Sequence, residues 1–83
     1  MLIECTYAAN YNGFAMQVNG EELEDERFEA IEDAVLSYAV DFCDEDGYFE
    51  GDDAEVERIC KEAVSQHFSG DYTLDFEVDH SST

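Results

Sequence analysis

The balance of charge sets the strongest limit on what this chain can fold into. Its 83 residues include 23 Asp and Glu but only three Lys and Arg, which gives a formal net charge of −20. Ion pairs cannot neutralise that excess, and mutual repulsion weakens any compact state. Hydrophobic residues still make up 45% of the chain and aromatic residues 13%, without proline, which is unlike a disordered acidic tail. The composition therefore predicts a folded domain with an acidic surface.

The predicted surface charge is dense enough to restrict the choice of partner. A folded chain of this length exposes roughly 5,000 Å², or about one net charge per 250 Å². If the charge gathers on one half of the surface, the density becomes about one per 125 Å², against about one per 110 Å² for duplex DNA. Nucleic acid is a poor partner, because binding to it needs a basic footprint. The charge favours basic protein surfaces instead.

Length and termini predict one domain, 1–83, in the cytoplasm of a bacterial host. The chain opens on MLIECTY, with neither a basic and apolar leader nor a membrane-spanning stretch. Anionic lipid would also repel an acidic surface. Cys5, Cys43 and Cys60 are odd in number and not closely spaced, which favours reduced thiols.

Residues 2–19 are predicted to form a β-hairpin. Asn12-Gly13 is the dipeptide preferred in two-residue type I′ turns. From the turn outward, the predicted pairs are Tyr11–Phe14, Ala9–Met16 and Tyr7–Val18. With Ile3 and Cys5 these residues share one face, so the turn and the burial pattern indicate the same register.

Two amphipathic helices are predicted over residues 25–43 and 53–68, because apolar residues recur at spacings of three and four. Asp52 or Asp53 is expected to start the second helix, and Gly70 follows its end. The inward stripe of the first helix is Phe28, Ile31, Val35, Tyr38 and Phe42. That of the second helix is Val56, Ile59, Cys60, Ala63, Val64 and Phe68.

Residues 71–79 alternate between apolar and polar side chains, which is typical of a half-buried strand. The apolar set is Tyr72, Leu74, Phe76 and Val78. The element order is then β-β-α-α-β. We predict an α+β fold, with a three-stranded antiparallel sheet and two helices packed on one face. The sequence leaves open whether the last strand pairs with the first or the second.

The acidic residues form two candidate partner-binding surfaces. Like charges one helical turn apart destabilise the first helix, so their presence favours selection for the electrostatic potential itself. The first surface joins the exposed face of that helix to an acidic loop at 44–52. Its predicted residues are Glu26, Glu29, Asp33, Asp44, Glu45, Asp46, Tyr48, Phe49, Glu50, Asp52 and Asp53. The second surface is a row on the open sheet face, with members about 6.8 Å apart: Asp75, Glu77 and Asp79.

Tyr48 and Phe49 are the expected apolar anchors of the first surface. An aromatic pair among acids suits a protein interface, in which apolar anchors supply affinity and charge supplies steering. The alternative is that the pair packs between the helix ends.

The segment that joins the helices, DFCDEDGYFEGDD, also invites a calcium interpretation. In the EF-hand pattern Gly47 would take position 6, and Asp44 and Asp46 would take positions 3 and 5. Position 1 then falls on Phe42, which cannot ligate, and position 12 on Asp53 rather than a bidentate Glu. We expect no metal and no cofactor, with a calcium-binding module as an alternative.

Catalysis has little support in the sequence. His67 lies near the end of the second helix and His80 near the end of the chain, and each is isolated. The chain has no nucleophile elbow, Gly-rich phosphate loop, HExxH or CxxC. We expect no enzymatic activity.

In its small size, extreme acidity, α+β composition and lack of catalytic residues, the chain resembles the acidic inhibitors that phages and mobile elements use against host defence. These include DNA-mimic anti-restriction and anti-CRISPR proteins. The resemblance covers the whole chain and rests on class features, so it assigns no residue a role. It implies that the protein occupies the basic nucleic-acid channel of a nuclease complex and excludes DNA. A rigid array of carboxylates suits such a groove, and association should be fast and salt-sensitive.

Two other interpretations stay open. A dedicated inhibitor of one cationic enzyme, similar to barstar-like or nuclease immunity proteins, would concentrate its acids around apolar anchors, whereas a mimic spreads them along a stripe. A domain adapted to high salt would also be acidic and poor in lysine. Monomer and homodimer are both compatible with the sequence.

Overall fold

Residues 1–81 are described by a computed structural model of the chain. Over these residues the elements follow in the order β1 (Leu2–Ala8), β2 (Gly13–Val18), β3 (Glu21–Glu22), α1 (Glu26–Ala39), a 3₁₀ turn (Val40–Phe42), α2 (Asp53–His67) and β4 (Thr73–Asp79). The α+β class and the two helices are as predicted.

The sheet differs from the prediction of three antiparallel strands. Four strands lie in the order β3-β2-β1-β4, and β4 runs parallel to β1. A parallel pair needs a long crossover connection, and the two helices between β3 and β4 supply it. Leu2 lies opposite Thr73, and the register continues without offset to Ala8 and Asp79.

The first hairpin forms, but in another register. Tyr7 lies opposite Phe14 and Cys5 opposite Met16, so the predicted pairs were wrong. Asn12 has a positive φ of 51° and Gly13 does not, whereas a type I′ turn needs positive φ at both. The shift is an even number of residues, so the predicted faces survive. Tyr11 is the exception, since it lies in the longer loop and is 70% exposed.

The second Asn-Gly of the sequence makes the tight turn. Asn19 has a φ of 52° and Gly20 one of 83°, as a type I′ turn requires, and they join Val18 to Glu21 across the pair β2–β3. The resulting two-residue β3 was not predicted, although the same dipeptide signal was present.

Helix α1 is shorter than the predicted 25–43. Asp25 caps it by accepting a hydrogen bond from the Arg27 backbone N–H at 2.9 Å. Ile31 and Val35 are buried, as the stripe predicted, and Ala39 is buried with them although the stripe did not include it. The helix then tightens into the 3₁₀ turn, which carries Phe42 out of the stripe and leaves it 46% exposed.

Helix α2 and β4 agree closely with their sequence patterns. Asp52 is the N-cap of α2 and accepts from the Ala54 N–H at 2.9 Å. Val56, Cys60, Ala63 and Val64 are buried on one face of the helix. In β4 the residues of the apolar set, Leu74, Phe76 and Val78, are half-buried against the core.

The core lies between the helices and one face of the sheet. Ile3, Cys5 and Tyr7 of β1 share it with Met16 of β2 and the buried faces of both helices. Within residues 1–81 no polar or charged residue is buried, so every carboxylate reaches solvent. The opposite sheet face stays open.

Candidate functional site: an acidic interaction surface

The few cations are concentrated on one part of the molecule. Arg58 pairs with Glu55 at 2.8 Å and Glu62 at 3.2 Å, and Lys61 pairs with Glu57 at 2.7 Å, all on α2. The third cation pairs with the N-cap of α1. Within residues 1–81, all but four of the 23 Asp and Glu side chains therefore have no Lys or Arg partner. Two of the three cations lie on α2 and partly compensate its acids, and Arg27 offsets Asp25 at the start of α1.

These ion pairs shift the titration of their members. The guanidinium of Arg27 donates to Asp25 and holds the pKa of that carboxyl below its ordinary value. Arg58 lowers the pKa of Glu55 in the same way. The pairs are exposed to solvent, so they are worth little to stability. The main effect of the pairs on α2 is to reduce the net negative charge of that helix.

An acidic stripe runs along the exposed side of α1. Glu26, Glu29 and Asp33 are all exposed and follow each other at helical spacing. Ser37 continues the line and donates its hydroxyl to Asp33 at 3.5 Å. Asp41 ends it in the 3₁₀ turn, also exposed. We call Glu26, Glu29, Asp33 and Asp41 the acidic stripe; it is about 22 Å long.

Asp41 was not among the predicted binding residues. Its i+4 and i+8 spacing from Ser37 and Asp33 was the sequence signal that could have found it.

The acidic loop, 44–52, is built around Asp44. One carboxylate oxygen of Asp44 accepts the backbone N–H groups of Asp46 and Tyr48, both at 2.9 Å. Its backbone N–H donates to the Tyr48 carbonyl, and the Gly47 N–H donates to its carbonyl. Gly47 has a φ of 86°, which only glycine adopts readily. Asp44 therefore fixes the loop, whereas the side chains of its neighbour Glu45 and of Glu50 are exposed.

Phe49 belongs to the core and not to the binding surface. Its side chain is 1% exposed and its ring meets that of Tyr7 on β1, so Phe49 is not displayed to a partner as expected. Its N–H donates to the Ala9 carbonyl at 2.8 Å, which ties the loop to the end of β1. Tyr48 is half-buried and its hydroxyl donates to the His80 carbonyl at 3.2 Å.

The exposed apolar residues beside the acidic loop are Val40 and Phe42. They are 55% and 46% exposed, and the Phe42 ring lies 4.9 Å from that of Tyr38. A Cβ at Gly51 would come within 3.0 Å of the Phe42 Cβ, so glycine lets the two segments lie close together. The helical stripe had assigned Phe42 to the core. The 3₁₀ turn that exposes it has no clear signature in the sequence.

The two acids at the start of α2 make structural hydrogen bonds. Asp52 caps α2, and Asp53 accepts from His80 Nε2 at 2.7 Å. Asp53 and Tyr48 together hold the end of β4 against the acidic loop.

The open sheet face carries the second predicted surface. Asp75 and Glu77 are exposed, and the register sets Asp75 beside Glu4 and Glu77 beside Thr6 on β1. A shallow depression of about 360 Å³ lies between these strands. Asp79, the third member, accepts hydrogen bonds from the Ser81 hydroxyl and N–H, which lower the pKa of its carboxyl. The row lies apart from the acidic loop in the sequence and on the face away from the helices.

Metal ligation is not favoured by this arrangement. Among residues 1–81, no group of three or more His, Cys, Asp or Glu side chains converges closely enough to hold an ion. The EF-hand candidate Asp44 directs an oxygen to backbone N–H groups, and Phe42 stands at the position of the first ligand. The Asp44 carboxylate is therefore used to fix the loop.

The thiols are free in the described chain. Cys5 and Cys60 are buried in the core, and Cys43 donates to the Ala39 carbonyl at 3.3 Å. A hydrogen bond with Cys5, together with burial, raises the pKa of the Cys60 thiol above its ordinary value. A neutral buried thiol is a poor nucleophile.

No helix within residues 1–81 has both the length and the apolar character that crossing a membrane requires. Comparison with models of known protein families, with curated proteins and with solved structures gave no match for the chain. Its function must therefore be inferred from its own charges and contacts.

Proposed function

We propose that this protein is an acidic inhibitor that occupies the basic nucleic-acid-binding surface of a host defence nuclease, such as a CRISPR effector or a restriction enzyme, and excludes DNA. It acts by contact and not by catalysis. The acidic stripe on α1 and the acidic loop form its principal contact surface.

The main support for this proposal is the size of the molecule relative to its charge. The chain measures 39 × 23 × 21 Å and carries a net charge of −20. A DNA duplex of the same 39 Å length carries about 23 charges, at one per 1.7 Å of axis. One duplex turn is about 34–36 Å long. The protein thus matches one turn of DNA in both length and charge.

The charge distribution supports a directed contact. The acidic stripe and loop lie outside the compensated region of α2, and the cation beside the stripe, Arg27, pairs with Asp25 rather than with a stripe carboxylate. The loop is held by the hydrogen bonds of Asp44 and by the burial of Phe49, so the backbone that carries its carboxylates is fixed. Rigid, preorganised charge lowers the entropic cost of binding.

A second candidate function is dedicated inhibition of one cationic enzyme. The exposed pair Val40 and Phe42 beside the acids favours it, because apolar anchors inside a ring of charge are typical of binding hot spots. The two functions differ in one property: a mimic competes with any duplex, whereas a dedicated inhibitor blocks one active site.

Capture from a lysate of the native host tests the proposal. The immobilised chain is exposed to nuclease-treated lysate at about 0.1 M salt, where the Debye length is about 10 Å, and then washed with 30-base-pair duplex DNA. We expect DNA-binding nucleases to be captured and then displaced by the duplex. Captured enzymes that remain bound under excess duplex would contradict mimicry and support the dedicated inhibitor. A variant with Val40→Ser and Phe42→Ser separates the two further, since only the dedicated inhibitor should depend mainly on those residues.

A further inference from the structure

The outer edge of β4 has backbone groups without partners. The ladder between β4 and β1 begins with the Thr73 N–H donating to the Met1 carbonyl and ends with the Ala9 N–H donating to the Asp79 carbonyl, both at 2.9 Å. In a strand, alternate residues direct their N–H and C=O to the same side. Because Thr73 and Asp79 face β1, residues Leu74, Phe76 and Val78 face outward. No residue within 1–81 forms a backbone hydrogen bond with them there.

This edge lacks several of the features that usually block strand addition. Short length, proline, lysine and β-bulges all protect natural edges. At the other edge, β3 has only two residues. β4 has seven, without proline or lysine, and its register has no offset. It offers about 23 Å of regular strand.

The side chains beside this edge determine which kind of strand can pair with it. Asp75 and Glu77 project on the open face, and on the other face Leu74, Phe76 and Val78 are only half-buried. A second copy of the chain, paired antiparallel through β4, would set these carboxylates against each other, and like charges directly opposite are destabilising. An incoming strand with Lys or Arg at alternate positions would instead place opposite charges in register.

Glu4 on the neighbouring strand β1 also favours an incoming strand with basic side chains. Glu4 lies beside Asp75 on β1, and the depression between the strands is lined by Glu4, Asp75 and Glu77. Adjacent strands are about 4.8 Å apart, so a long basic side chain from an added strand can extend over β4 toward Glu4. Apolar residues at the intervening positions would cover the exposed parts of Leu74 and Phe76.

We propose that the outer edge of β4 is a docking site for an extended segment of a partner protein in which Lys or Arg alternates with apolar residues. The segment adds a fifth strand to the sheet, with backbone hydrogen bonds to residues 74, 76 and 78 and ion pairs to Asp75 and Glu77. This surface is separate from the acidic stripe and loop, so the inference does not depend on DNA mimicry.

Synthetic peptides test the proposal on the full chain. The probe is a nine-residue peptide that alternates Lys and Val, and the control has the same composition with all its lysines at one end. At 0.15 M salt we expect the alternating peptide to bind at least about fivefold more tightly than the control, because only it presents both faces correctly. Hydrogen exchange at the Leu74, Phe76 and Val78 amides should slow at least about tenfold on binding.

Two double variants of equal net charge separate this edge from general attraction. Asp75→Asn with Glu77→Gln should weaken alternating-peptide binding at least about threefold, whereas Glu57→Gln with Glu62→Gln on α2 should change it less than about twofold. Equal binding of both peptides, equal effects of both variants, or unchanged exchange at the three amides would overturn the proposal. So would a β4-mediated dimer of the free chain in sedimentation experiments.

Discussion

The ring of Phe49 meets the ring of Tyr7 edge-on, with the ring centroids 5.3 Å apart and the planes inclined by 86°. Both side chains are fully buried, and burial raises the pKa of the Tyr7 phenol above its ordinary value. Tyr7 also donates its hydroxyl to Asn12 Oδ1 at 2.6 Å. The contact links the acidic loop, the first strand and the first hairpin loop, so the position of the loop acids depends on the core.

Replacing Phe49 by Ala should therefore remove a large part of the stability of the domain. A buried Phe→Ala change costs about 3–5 kcal/mol, and the free energy of unfolding of a small domain is only about 5–15 kcal/mol. The adjacent change Tyr48→Ala removes a half-buried ring and should cost no more than about 1 kcal/mol. Urea unfolding followed by circular dichroism measures both. Equal losses for the two variants would show that Phe49 is not the core residue of the pair.

Two glycines distinguish the observed hairpin register from the predicted one. Gly20 has a φ of 83° with no atoms near its missing Cβ, so Gly20→Ala should cost about 1 kcal/mol through backbone strain alone. Gly13 has no positive φ, and the atoms nearest to an added Cβ belong to the exposed, movable ring of Tyr11. Gly13→Ala should therefore cost less than Gly20→Ala in the same unfolding assay. The reverse order would favour a type I′ turn at Asn12-Gly13.

The sequence predicts which side chains face inward better than it predicts which strands are neighbours. Alternation in Leu74 and Phe76 and the helical spacing of Ile31 and Val35 are local patterns, and all four residues lie where these patterns place them. The predicted register of the first hairpin was wrong because Asn12-Gly13 does not form the two-residue turn that its sequence favours: Gly13 lacks the positive φ of a type I′ turn, and the connection is longer.

The position of β4 depends on contacts across the whole chain, which no local pattern reports. A strand that follows two helices can enter the sheet in either direction, and the alternation of apolar residues is the same in both. The candidate site was also predicted only in part. The acids of α1 lie on its exposed side as predicted, but the expected anchor Phe49 is buried, and Phe42, expected in the core, is exposed. The 3₁₀ turn accounts for the exposure of Phe42.

Leu74 should be intolerant of charge despite lying on an edge strand. Leu74→Asp places a carboxylate against the core, where an unpaired charge costs several kcal/mol. Thr73→Asp adds the same charge at the neighbouring exposed position and serves as the control. We expect Leu74→Asp to melt at least about 10 °C below Thr73→Asp, since about 1 kcal/mol shifts the midpoint of such a domain by about 4–8 °C. Matching melting curves would mean that this side chain does not face the core.

Salt should stabilise the fold. The net charge of −20 is spread over 5031 Å² of accessible surface, and its self-repulsion opposes compaction. Raising the salt concentration from 0.1 M to 1 M shortens the Debye length from about 10 Å to about 3 Å and weakens that repulsion. The melting temperature should rise steadily over this range, with sodium chloride and potassium chloride giving the same curve. A melting temperature that falls with salt would mean that the Lys and Arg ion pairs within residues 1–81 outweigh the repulsion.

Neutralising two loop acids should slow association with the target more than it speeds dissociation. Glu45→Gln with Glu50→Gln removes two exposed charges and leaves the structural carboxylates Asp44 and Asp52 intact. Glu57→Gln with Glu62→Gln removes the same net charge from the compensated surface of α2. Steering charges act mainly on the encounter rate, whereas short-range contacts set the lifetime of a complex. Stopped-flow kinetics with the captured nuclease, over a salt series, should show a lower association rate for the loop variant alone. If both double variants slow association equally, total charge and not the acidic loop guides binding.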